Sequence, residues 1–131
     1  MIRNIFIVGI LISLMLVGIH WLVEGSNLET LTSEHMEPET AAKVDFYVGQ
    51  LFLNVESYEA AETYFTYLMS HYPESPFAER ANVSWLQCLS HMFYRGPVKL
   101  ANECKAFLSK YPDSVYGPKV HKLLDTAEDR I

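Results

Sequence analysis

One eight-residue stretch occurs twice in this chain, and it restricts the possible folds more than any other feature. His71-Tyr72-Pro73-Glu74-Ser75-Pro76-Phe77-Ala78 returns as Lys110-Tyr111-Pro112-Asp113-Ser114-Val115-Tyr116-Gly117. The two prolines lie 39 residues apart (112 − 73), a period in the range of stacked helical units. A proline cannot continue the helix before it. A serine two residues later can accept a hydrogen bond from the free N–H groups that open the next helix. Each copy therefore reads as the end of one helix and the cap of another.

A second feature divides the chain. Residues 4–23 carry no charge, and every acid lies after position 23. Twenty helical residues span about 30 Å, the thickness of a bilayer's hydrocarbon core. The expectation is a transmembrane anchor over residues 1–24, with Ile5, Phe6, Leu11, Leu14 and Leu16 facing lipid and Trp21 at the interface. A cleaved signal peptide is the alternative. The only cysteines are Cys88 and Cys104, so the run cannot end in a lipid-modified cysteine. Arg3 before the span and Glu24 after it suggest a cytoplasmic amino terminus and an inner-membrane protein with its C-terminal domain in the periplasm. His20 beside Trp21 reads as a headgroup contact.

From Glu24 onward there are sixteen acids and nine Lys or Arg, a net of −7. That balance argues against nucleic acid and anionic lipid surfaces as partners of the domain. Residues 25–37 read as a linker. From Pro38 the pattern is helical and no strand alternation occurs. The first helix has Ala41, Val44, Val48, Leu51, Phe52 and Val55 at three-and-four spacing. The second, capped by Ser57, carries Tyr58, Ala61, Phe65 and Leu68. The third carries Phe77, Ala81, Trp85, Cys88, Leu89 and Met92, and Arg95-Gly96-Pro97 breaks it. The fourth carries Leu100, Ala101, Cys104, Phe107 and Leu108, and the fifth Tyr116, Val120, Leu123, Leu124 and Ala127. The expected fold class is all-α: an anchor helix, then about five helices joined by short turns.

At this point the first helix pair resembles a tetratricopeptide repeat. Gly49 matches the small residue of the family's first helix and Phe52 the aromatic after it. Tyr58 and Ala61 match the start of the second helix, Phe65 its large apolar residue, and Pro73 the terminal proline. Asp45 stands where the family has tryptophan. A degenerate second repeat ends at Pro112. The Tyr-Pro-x-Ser ending is similar to periplasmic repeat domains of the BamD and CpoB type. The resemblance implies repeats over about 38–73 and 75–112, with a capping helix over 114–130. It also implies a partner groove lined by the first helix of each repeat: Lys43, Phe46, Gln50, Asn82, Trp85 and Leu89.

Cys88 and Cys104 lie eight residues either side of Gly96. In a hairpin turning there they face each other, and outside the cytoplasm a disulfide is possible; two buried free thiols are the alternative. Cys88 and His91 are too few to hold a metal. No phosphate loop, haem motif or nucleophile constellation occurs, so no enzyme, cofactor or small-molecule substrate is expected. The expected role is a membrane-anchored protein-interaction module, an adaptor or accessory subunit of a membrane complex, with the bilayer and one or more proteins as partners. Two alternatives stay open. One is a structural subunit whose anchor packs into a larger complex through Gly9, Ser13 and Gly18. The other is a cytosol-facing receptor like the mitochondrial import receptors.

Overall fold

The structure, a computed structural model, describes residues 13–15, 17 and 36–131. Five α-helices and one 3-10 turn follow one another in the second of two units, Glu37–Ile131. They are α1 (Pro38–Asn54), α2 (Tyr58–His71), α3 (Pro76–His91), the turn Phe93–Arg95, α4 (Pro97–Lys110) and α5 (Gly117–Glu128). Among the described residues there is no strand, and the fold is all-α. Ser13–Met15 and Val17 are helical. The remainder of the apolar run, including Ile5, Phe6, Leu11, Leu16 and Trp21, lies outside the described residues. Among those described, no helix is long and apolar enough to cross a membrane.

The repeated stretch folds the same way both times. The N–H groups of Tyr72 and Tyr111 each donate to a carbonyl four residues back, at 2.8 Å. Those of Ser75 and Ser114 donate to the tyrosine carbonyls at 3.0 and 3.2 Å. The serine hydroxyls then accept from the N–H of Phe77 at 3.2 Å and of Tyr116 at 3.1 Å. A proline after the tyrosine offers no N–H, so the helix stops and the serine supplies the first acceptor. Only the onset of the next helix differs: α3 begins at Pro76, whereas α5 begins at Gly117, not at 114. Ser57, expected as a cap, makes no capping bond.

Small residues decide how α1 and α2 meet. Ala41, Ala42, Asp45, Phe46 and Gly49 form the buried side of α1. A methyl group on Gly49 would lie 2.6 Å from the Phe65 ring, so only glycine lets that ring lie flat on the helix. The inward stripe expected from Val44, Val48, Leu51 and Val55 is therefore corrected. Leu51 and Val55 are exposed and the two others half-buried, because the alanine–glycine side allows the closer approach. Below this layer Leu68, Leu86, Cys88, Cys104, Phe107 and Val120 complete the buried core.

Packing along the stack is uneven. α2 lies closely on both α1 and α3, and α4 lies closely on α5, while α3 and α4 meet only lightly. The 3-10 turn lies at this boundary. It lengthens the connection to Met92–Gly96, ending at Gly96 with φ 83°. It also moves the middle of the hairpin to Tyr94. Cys88 then lies three residues inside α3 and Cys104 seven inside α4. At 1.5 Å per residue they sit about 6 Å out of register. Both thiols are free and buried, the second of the two arrangements the sequence left open.

Candidate interaction surface

The six positions expected to line a groove separate into different environments. Phe46 and Leu89 belong to the core, which removes them as partner anchors. The Phe46 ring packs 6.1 Å from Phe65 and 5.5 Å from Phe77, and the Arg80 guanidinium covers it at 4.5 Å. Gln50 donates to Ser84 across the α1–α3 contact. Asn82 is half-buried and Lys43 is exposed. Trp85 is half-buried, and its indole N–H donates to Glu62 at 3.2 Å. Along this face the side chains of α1, α2 and α3 bond to one another, and Lys43 alone of the six is exposed.

The expected repeat-core positions differ in burial. Ala61 and Phe65 have no exposed surface. Phe52 stacks on Tyr64 at 5.6 Å and 16°, and Tyr58 on His91 at 4.8 Å and 3°. Burial raises the Tyr58 pKa, with Glu56 and Cys88 adding to it. Pro73 and Pro112 sit exposed in the turns.

Aromatic surface is presented elsewhere, on the 3-10 turn. Phe93 and Tyr94 are 72% and 67% exposed, yet their surroundings are fixed. Tyr94 Oη donates to Glu59 at 2.6 Å, and that bond, before burial, raises the tyrosine's pKa. Arg95 pairs with Glu62 at 2.9 Å, so one carboxylate holds both the turn and Trp85. Arg130, two residues after α5, stacks its guanidinium over Phe93 at 5.2 Å. Beside Phe93 a small cavity of about 40 Å³ is lined by Leu89, Met92, Pro97, Leu100 and Ala127. Rigid aromatic rings flanked by arginine and bordered by an apolar depression are the usual anchors of protein interfaces. The sequence pattern did not single these residues out. Phe93 and Tyr94 lie off the helical stripe, directly before a Gly-Pro break, and that placement is the signal that would have found them.

No family model matches the chain, and no curated protein matches it.

The described residues hold no group of three His, Cys, Asp or Glu side chains that could bind a metal. Burial pushes the Cys88 thiol up to about 12 and Cys104 to about 11, which makes both poor nucleophiles. An open depression of about 340 Å³ lies between Pro38, Glu39 and the first tyrosine–proline turn, where Glu39, His71, Tyr72 and Glu74 bring charged or titratable groups to it.

Proposed function

We propose that the chain is a membrane-anchored, tetratricopeptide-like interaction module, an adaptor or accessory subunit within a membrane protein complex. The observation that carries this reading is the exposed Phe93–Tyr94 pair, with Tyr94 bonded to Glu59, Arg130 lying over Phe93 and the next residue, Arg95, paired with Glu62. Rings left in water at fixed positions lose little entropy on docking, so a partner gains their burial almost in full. The uncharged run at 4–23 supports the anchor. Confinement to a membrane raises the effective concentration for such a partner. Arg3 and Glu24 favour an inner-membrane location with the helical domain in the periplasm. The Gly49–Phe65 contact supports the repeat-like reading, because that family places a small residue opposite a large one there. No catalytic role is proposed.

The test is photo-cross-linking in intact membranes from a reactive residue at position 93. The reading expects a discrete protein adduct that disappears when Tyr94→Ala is added to that chain, with the melting temperature nearly unchanged. An adduct pattern insensitive to Tyr94→Ala, or the chain recovered wholly in the soluble fraction, rules the reading out.

A further inference from the structure

α1 is apolar on two sides. One side builds the core. The other, adjoining it along the half-buried Val44 and Val48, carries Tyr47, Leu51 and Val55, which are 49%, 65% and 71% exposed, with the Tyr47 ring centre 6.2 Å from that of Phe77. Lys43 is the only charge on this outer side between residues 40 and 55. A helix apolar on two sides is ordinarily covered on both, and an end helix of a stack needs a polar outer face to stay single. α5, at the other end, has that face: Lys119, His121, Lys122, Asp125, Thr126 and Glu128 are exposed.

We propose that the outer face of α1 is a dimer interface, occupied by α1 of a second copy in antiparallel orientation. The positions Thr40, Val44, Tyr47, Leu51 and Asn54 follow the four-three spacing of a two-helix seam. A two-fold axis near Gly49 sets Tyr47 against the partner's Leu51 and Leu51 against the partner's Tyr47. It also brings Lys43 level with Val55 at the C-terminal end of the opposing α1, one residue from the partner's Glu56. That end has no basic residue in its own last turn, so the partner supplies the cation that the helix dipole favours. Parallel pairing would instead set Lys43 against Lys43. The arrangement is self-complementary, the condition for a closed two-fold pair. A single helix pair buries less than the about 800 Å² per partner of a standard interface, so the dimer is concentration-dependent.

Sedimentation equilibrium of the full chain, at constant detergent concentration, tests this. Leu51 is exposed, so Leu51→Glu leaves the fold intact by circular dichroism and is expected to weaken dimerisation at least about tenfold. Lys43→Glu or Glu56→Lys alone should weaken it roughly fivefold. The double variant Lys43→Glu/Glu56→Lys should recover the original affinity, which fixes the antiparallel register. A monomer at every concentration, a dimer indifferent to Leu51→Glu, or a double variant no better than either single one overturns the proposal. So does a photo-cross-linker at position 47 that captures only a different protein.

Discussion

Gly49 controls the α1–α2 contact with a single missing methyl. Gly49→Ala forces a carbon into the flat of the Phe65 ring, and Phe65 is fully buried and cannot swing aside. The expected cost is about 1–3 kcal/mol of unfolding free energy, the range for overpacked cores. Urea denaturation measures it, and Phe65→Leu in the same chain should return part of the loss. The thiols offer a second check at this scale. Cys88 and Cys104 hold their protons to about 12 and 11 because the apolar core disfavours thiolate. In the unfolded chain they ionise nearer 9.0. Above that value the unfolded state releases protons that the folded state keeps, so stability falls as pH rises from about 9 towards 11. Replacing both cysteines by alanine should flatten this alkaline decline. Neither thiol in the native protein should react with a thiol reagent at neutral pH, whereas both should in urea.

At the scale of elements, the two tyrosine–proline turns share every backbone bond, so the residue at one should suit the other. Val115 occupies the place of Pro76 and is exposed. Val115→Pro is expected to stabilise by about 0.4–1 kcal/mol through a less flexible unfolded chain, read as a raised melting temperature. Glu62 joins α2 to both α3 and the 3-10 turn. Glu62→Ala should cost about 1 kcal/mol, since the Arg95 pair is partly solvated but the indole loses its acceptor. In a Trp21→Phe background the Trp85 emission should move to longer wavelength. Helix number, order and most boundaries were legible because prolines and glycines punctuate the periodicity. The inward face of α1 was not. Both faces are apolar, and choosing between them depends on the fit of Gly49 under Phe65, which no pattern of hydrophobicity records. Two of the groove positions were illegible for a related reason: the resemblance puts Phe46 and Leu89 on an open face, but both are buried, and Phe77 and Arg80 lie over Phe46. The aromatic turn was missed because loops carry no period to read.

Across the whole helical unit, cohesion is unequal. α1, α2 and α3 form one tightly packed layer, and α4 with α5 another. The layers are joined where α3 meets α4 and α5, with Ser114 donating to Glu79 and Arg130 lying over Phe93. Native-state hydrogen exchange should show amides of α4 and α5 opening together, at lower free energy than those of α2 and α3. The three-residue 3-10 turn lies at this seam. Under load a chain of this design yields in steps. Its carboxyl-terminal hairpin peels away while the amino-terminal trio holds, so the aromatic turn at the boundary would sense strain before the rest of the molecule unravels.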